Sequence, residues 1–347
     1  MMTGMITGRG GGKVRLSDVA TLAGVSAKTV SNVVHDYPHV SPALRMRVQK
    51  AIDELGYRPN LTARRLATGR TGMIALAIPW IDQPYFAELS RHVGEQAARL
   101  GYRVLFEQTA NDVDLERAVL RDREQGLVDG VIFHPVFIDA LEIARLRPDT
   151  PLVLLGESAM PVTTDHVMID NVAAAQDGVQ LLLERGRRRI AFFATIRDDI
   201  TGSTEQRLLG YQQALVKAGI PLDPALILGS EGWSTDDAVA AMRAAMHSGV
   251  TFDAVLCRDD LFAAAALTAL ASQDIAVPND VAVVGWDDTV LARTTLPTLT
   301  TVAPDKAVIA EVALELLRER MAGYTGVGRH KIVPHTIVER LSTPAAD

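Results

Sequence analysis

The chain has 347 residues, 48% of them hydrophobic and 22% charged, with a net charge of −7 and a single cysteine, Cys257. This length allows two or three domains with full cores, and one cysteine excludes an intramolecular disulfide framework. No apolar run approaches the roughly 18–20 residues of a membrane span, and the opening MMTGMITGRGGGKV lacks the apolar segment of a secretory signal, so the expectation is a soluble cytoplasmic protein with no membrane partner.

The charge is uneven along the chain. Residues 1–71 hold eleven Lys/Arg against four Asp/Glu, a net +7, whereas the remaining 276 hold 24 against 38, a net −14. A basic head on an acidic body points to a polyanion as the partner of the head. Glycine-rich residues 1–13 read as a disordered tail, and the patterned sequence begins after them.

In LSDVATLAGVSAKTVSNVV, residues 16–34, Val19, Leu22 and Ala23, then Val30, Val33 and Val34, recur at helical spacing. Ala20 is small where two helix axes approach. Gly24 ends the first helix at a position favouring positive φ, and Ser26 is a good N-cap for the second. The pattern describes a helix-turn-helix, whose second helix lies in a DNA major groove, although an ordinary helical hairpin fits the same spacing. Ser41-Pro42 then opens a third helix that runs to Leu55 with Val48, Ile52 and Leu55 on one face, and Gly56 stops it. Beyond Tyr57, Pro59 breaks the chain and Asn60 can cap a short helix over Leu61–Ala67. That helix carries Arg64, Arg65 and Leu66, and is too short to persist alone.

Residues 15–72 resemble the DNA-binding headpiece and hinge of the LacI/GalR family of bacterial transcription regulators. The segments DVATLAGVSAKTVSNVV, HVSP and ELGYRPNLTARRLATGRTG carry the likeness without a gap. The resemblance implies a helix-turn-helix domain over 14–58 and a hinge helix over 59–71 that folds at a dimer interface on operator DNA, with Leu66 wedged into the minor groove. It places Ala27, Lys28 and Asn32 at base edges, with Ser26, Thr29, Ser31, Val40, Ser41, Tyr57 and Asn60 on the backbone; Leu16 and Arg64 complete the DNA-contacting set. Many members carry a bulky polar or aromatic residue in place of Ala27 and arginine in place of Asn32. Arginine pairs with guanine and asparagine with adenine, so the operator sequence does not carry over. Lys28 either reads guanine or contacts phosphate.

From Met73 strand-like runs alternate with helical stretches. MIALAIP, YRVLFEQ, VDGVIF, LVLLGE and VMID are separated by helices near 85–100, 112–125 and 139–146. After 170 the alternation restarts: a helix to about 185, RIAFFA, a helix over 204–218, LILGS, a helix over 235–248, FDAVLC, a helix over 259–272, and VAVVGWDD. Such alternation argues for parallel sheets flanked by helices, in two similar units, with a ligand crevice outside the carboxyl ends of the strands. The residues just after those strands are therefore the candidates: Asp82, Gln83, Tyr85, Phe86, His134, Asp170, Arg207, Trp233, Asp259, Asp260, Asp287 and Asp288. Carboxylates, an arginine and an aromatic platform suit a polyhydroxylated ligand. Asp170 and Asp260 read equally well as helix caps.

The body resembles the same family's sensor core, similar to periplasmic sugar-binding proteins, through QRLLGYQQAL, AVLCRDDLFAAAAL, VAVVGWDD and LPTLTTV. The resemblance implies a small all-α headpiece followed by an α/β core of two doubly wound parallel-sheet subdomains, of periplasmic binding protein type I. They span 72–171 with 304–332, and 172–303 with 333–343, and KIVPHTIVER is the last strand. By family position Arg207, Asp259 and Asp287 are the main effector contacts. Trp233 and Phe86 flank them, and Asp82, Tyr85 and Asp170 complete the set. Asparagine is common where Asp259 stands, and the added negative charge disfavours an anionic effector unless Arg258 compensates.

No enzyme signature survives. GRGGGKV lacks the P-loop spacing, there is no GxSxG elbow, and His35 and His39 have no metal-binding company. No cofactor or metal is expected, and no leucine heptad tail follows the last strand. The reading is a homodimeric regulator, a repressor, that binds palindromic double-stranded operator DNA and a small effector, a sugar. A sugar-binding module without regulatory DNA binding leaves the basic head unexplained, and an α/β enzyme needs a catalytic constellation the sequence does not offer.

Overall fold

A computed structural model describes residues 14–34, 37–57, 70–121, 126–146, 150–157, 162–195 and 202–343. The tail at 1–13, and Asn60, Arg64 and Leu66 of the expected hinge helix, lie outside the described residues. The chain forms two compact units, Met1–Thr71 and Gly72–Asp347.

The first unit contains α1 (Leu16–Ala23), α2 (Ala27–Val34) and α3 (Pro42–Leu55). Gly24, at φ 61°, ends α1 in the left-handed conformation, and the next amide closes back onto the Ala20 carbonyl at 3.0 Å. Ser26 Oγ accepts from the Thr29 amide at 3.1 Å to start α2, and Ser41 does the same for α3 ahead of Pro42. Val19, Ala20, Ala23, Val30, Val33, Val48 and Ala51 close the core between the three helices. Leu22 does not join them and is 46% exposed. At 100° per residue it stands well off the face that Leu16, Val19, Ala20 and Ala23 share.

The second unit runs β1 (Met73–Ile78), α4 (Pro84–Arg99), β2 (Arg103–Gln108), α5 (Val113–Arg121), β3 (Gly130–Phe133), α6 (Ala140–Leu146), β4 (Leu152–Leu155) and β5 (Asp165–Ile169). It continues with α7 (Asn171–Glu184), β6 (Ile190–Thr195), α8 (Ser203–Lys217), β7 (Ile227–Ser230), α9 (Thr235–His247), β8 (Ala254–Cys257), α10 (Asp260–Ala271), β9 (Ala282–Trp286), α11 (Val290–Thr294) and β10 (Thr300–Pro304). The last elements are α12 (Lys306–Met321), β11 (His330–Val333) and β12 (His335–Val338).

These strands form two six-stranded sheets, ordered β11-β5-β4-β3-β1-β2 and β12-β10-β9-β8-β6-β7. Every pairing is parallel except β10 with β12. Apart from the half-buried Met73 that opens β1, the central strands β1, β3, β4, β6, β8 and β9 are buried along their length, as helices on both faces of a parallel sheet require. The chain leaves the first lobe after β5, returns to it after β10, and crosses again between β11 and β12. KIVPHTIVER, expected as one strand, is therefore two: Pro334 has no N–H for a ladder, and the halves on either side pair with different sheets.

In both lobes the first strand lies inside the sheet, with the second on one side and the third on the other. Chains leaving β1 and β3, or β6 and β8, diverge at their carboxyl ends and open a crevice there. Two devices hold this frame. A Cβ on Gly210 of α8 would lie 2.3 Å from the Val172 carbonyl oxygen and 2.8 Å from Ala175 Cβ, so only glycine lets α8 approach α7 this closely. At the opposite end of the first sheet, the fully buried Asp165 accepts from Arg320 Nε at 2.8 Å and from the Arg329 amide and Nη2, each at 2.8 Å. Burial alone would raise the Asp165 pKa, but the two guanidiniums hold it well below the usual range.

Candidate functional site

The headpiece presents the first turn of α2. Ser26, Ala27 and Lys28 are exposed together, and the Thr29 hydroxyl lies 2.9 Å from Ser26 Oγ. Ser31 and Asn32 follow, half-buried, on the same helix. A helix N-terminus that carries a lysine and offers free backbone N–H groups favours a phosphate or a base edge. Ser41 is exposed at the start of α3, whereas Leu16 and Val40 pack partly against the headpiece core. Tyr57 is 9% exposed and belongs to that core, so its ring is chiefly a packing group.

In the second unit a cavity, open to solvent, lies at the carboxyl ends of the strands of both lobes. The first lobe contributes Trp80, Tyr85, Phe86, His134, Phe137 and Glu157 to the lining; the second contributes Thr204, Arg207, Trp233, Arg258, Asp259 and Asp287.

Arg207 is the centre of the second lobe's wall. Its Nε donates to Asn171 Oδ1 at 2.8 Å, Nη1 donates to the Arg258 carbonyl, and the guanidinium lies 4.1 Å from the Trp286 ring centroid. Burial lowers its pKa and the facing carboxylates Asp287 and Glu157 oppose that, so it stays charged. Arg258 is held over Trp233 at 4.5 Å, donates to Thr195 Oγ1 at 3.0 Å, and pairs with Asp259 at 2.9 Å. Asp259 uses its other oxygen to cap α10 through the Phe262 amide at 2.8 Å. The added charge of Asp259 is thus matched by the neighbouring arginine.

The remaining titratable groups are tuned by burial. Asp287 is 7% exposed, and its pKa is pushed up to about 7 by burial, with Arg207 and Lys306 opposing and Asp260 and Asp259 reinforcing. Glu157 is raised by burial against the pull of Arg207. Tyr85 is raised by burial and by Asp287 and Glu157, so it remains a phenol. His134 is lowered to about 4, first by burial, and packs edge-on against Phe86 with centroids 5.0 Å apart. Neutral hydrogen-bonding groups, two arginines and three carboxylates beside ring faces suit an uncharged ligand rich in hydroxyls.

The structure thus gathers Tyr85, Phe86, Arg207, Trp233, Asp259 and Asp287 around one space. Asp82 and Asp170 are exposed and outside the lining; Asp170 caps α7 through the Ala173 amide at 2.9 Å. Asp260 neither caps nor lines: it accepts from the Thr289 amide and hydroxyl and from Thr301 Oγ1, bracing the turn that carries Asp287. Sequence reasoning missed Glu157, although it ends the quoted run LVLLGE, and Trp80 just past MIALAIP. It also missed Glu116, a buried carboxylate on α5 that accepts from the amides of Val136, Phe137 and Ile138 at 2.7–3.0 Å and shapes the cavity wall. Its partners lie 20 or more residues onward, so no local spacing marks it.

Comparison with known proteins agrees with both units. The profile of bacterial regulatory proteins of the lacI family matches residues 15–60, and that of a periplasmic binding protein-like domain matches residues 179–343. The HTH-type transcriptional regulator DegA of Bacillus subtilis (strain 168) is 33% identical, over 95% of this chain and 98% of its own. Among solved structures, a LacI-family transcriptional regulator from Sanguibacter keddieii DSM 10542 is 36% identical with a TM-score of 0.74, covering 80% of this chain and 100% of that one. A complex of the transcriptional regulator CelR with cellobiose is 31% identical with a TM-score of 0.70, covering 95% and 99%. The chain therefore belongs to the LacI family of bacterial regulatory proteins and is a DNA-binding transcriptional regulator.

Proposed function

We propose that this regulator is a cytoplasmic homodimeric repressor that binds a palindromic operator through its headpieces and a neutral sugar in the cavity of each core. The observation that carries the reading is the cavity: ring faces on one wall and anchored charged groups on the other, at the mouth of two sheets joined by three crossings. In this reading Ala27, Lys28 and Asn32 face bases, and Leu66 enters the minor groove. Arg207, Asp287 and Asp259 take hydroxyls, with Tyr85, Phe86 and Trp233 against the ring of the sugar. That a similar regulator was solved with cellobiose makes cellobiose the first compound to try.

Binding of sheared genomic DNA to the full-length protein at one fixed moderate salt, followed by sequencing, tests the DNA half. Recovery of a near-palindrome of two half-sites supports the reading, and its loss in Leu66→Ala sharpens it, whereas diffuse recovery with no shared site, with or without sugars, overturns it. The chain's three tryptophans, Trp80, Trp233 and Trp286, all line the cavity or support it, so their fluorescence reports sugar binding directly. Operator and inducing sugar must weaken each other by one factor; equal sugar affinity with and without operator sinks the inducer mechanism.

A further inference from the structure

Two charged side chains beside the first lobe take hold of a turn of the second. Glu88, on α4, accepts from the Val290 amide at 2.9 Å and stands 3.2 Å from the Lys306 ammonium. Lys306 opens α12 directly after the crossover from β10 and is 8% exposed. Its Nζ donates to the carbonyl oxygens of Asp287 and Asp288, the second at 3.2 Å. One carboxylate and two carbonyls thereby match the three donors of the ammonium, which burial would otherwise leave exposed to a heavy desolvation penalty.

The turn so held is an unusual one. Asp287 and Asp288 have φ of 96° and 45°, in the left-handed region that a residue with a Cβ adopts when its surroundings insist. With both residues there, their carbonyls converge on one ammonium while the Asp287 carboxylate faces the cavity. Within the second lobe the turn is braced by Asp260 under Thr289, by Thr301 at the Asp288 amide, and by Arg340 at 2.6 Å from the Asp288 carboxylate. Arg293 also donates to the Asp288 carbonyl at 3.4 Å and lies 3.9 Å from the Asp288 carboxylate and 3.8 Å from Glu88. Glu88 and Lys306, held by direct bonds to Val290, Asp287 and Asp288, tie this turn to the first lobe, and Arg293 approaches Glu88 from the second.

We propose that Glu88 and Lys306 are positioning residues for the effector site: they fasten the Asp287 turn of the second lobe to the first lobe beside a crossover, so that the aim of the Asp287 carboxylate depends on the angle between the lobes. A ligand that needs Asp287 then selects this lobe geometry, which is how occupancy of the cavity becomes a change of shape. The inference rests on Asp287 being an effector contact.

Hydrogen exchange on the full-length, ligand-free protein tests the fastening. Lys306→Met is expected to raise exchange over 287–294 about ten-fold, Glu88→Gln less, and Lys306→Arg to restore most of the protection, with β3 and β8 unchanged. Wild-type exchange over 287–294 in Lys306→Met, or a rise spread evenly through both lobes, overturns the proposal. Tryptophan fluorescence titration with cellobiose and a panel of common mono- and disaccharides tests the consequence: Lys306→Met weakens binding about ten-fold and Lys306→Arg less. Asp287→Asn separates the two ideas. If it weakens binding while Lys306→Met does not, the positioning role fails and the contact stands; if it binds sugar like the wild type, the contact itself fails and the inference falls with it.

Discussion

The two lobes of the core share a strand order and a crevice, yet they line the cavity with different chemistry. The first supplies mostly ring faces, Trp80, Tyr85, Phe86, His134 and Phe137, with Glu157 as its carboxylate; the second supplies mostly charge, Arg207, Arg258, Asp259 and Asp287, with Trp233 as its ring. The charged wall is anchored in its own lobe, Arg207 on Asn171 and Trp286, Arg258 on Trp233 and Thr195. In the proposed sugar-binding reading, directional contacts come chiefly from one side and ring-face contacts from the other. On that reading the ligand is polar at its edges and flat on a face.

The largest effect that would break this contrast is at Arg207. Arg207→Ala leaves Asp287 and Glu157 buried without their shared cation, and sugar affinity by fluorescence titration should fall by about 3 kcal/mol. A loss no larger than that of an aromatic substitution would mean that the charged wall does not direct recognition. Beneath that wall, Gly210→Ala forces a methyl against the Val172 carbonyl and should lower stability to denaturant by about 1–3 kcal/mol. An unchanged midpoint would show that α7 and α8 separate freely.

On the other wall Phe86→Ala should weaken sugar binding by about 1 kcal/mol, with operator binding retained. A loss equal to that of Arg207→Ala would erase the distinction between the lobes. The subtlest test uses pH. The folded pKa of Asp287, about 7, lies above its unfolded value of about 3.9, so its contribution to stability is full at low pH and is lost as pH rises through 7. Asp287→Asn removes that loss, so its stability relative to wild type should improve between about pH 5 and about pH 8, on the order of 1 kcal/mol or more. A difference that stays flat with pH would show that the carboxylate is not buried as described.

The headpiece was legible because each of its features is local. A glycine at φ 61°, a serine three residues from the amide it caps, and a proline behind a second serine act within a few residues of chain. Leu22 is the exception: with only eight residues in α1, spacing alone did not say which flank of the apolar stripe faces inward. In the core, strand–helix alternation placed the strands and located Tyr85, Phe86, Arg207, Trp233, Asp259 and Asp287 at their carboxyl ends. Asp82 and Asp170 share that position in the chain but turn away from the cavity.

By itself the sequence determined the order of elements, the caps and turns of the headpiece, the buried character of the strands, and the basic head on an acidic body. These follow from residue type at short spacing, where sterics, hydrogen bonding and hydrophobic period act directly. Tertiary structure decided which carboxylate does what. Asp259 pairs and caps, Asp260 braces a turn, Asp287 faces the cavity, Glu116 gathers three amides, and Asp165 binds two arginines more than 150 residues away. A carboxylate's role depends on the donors around it and on its distance from water, and both are set by strands that meet only after folding.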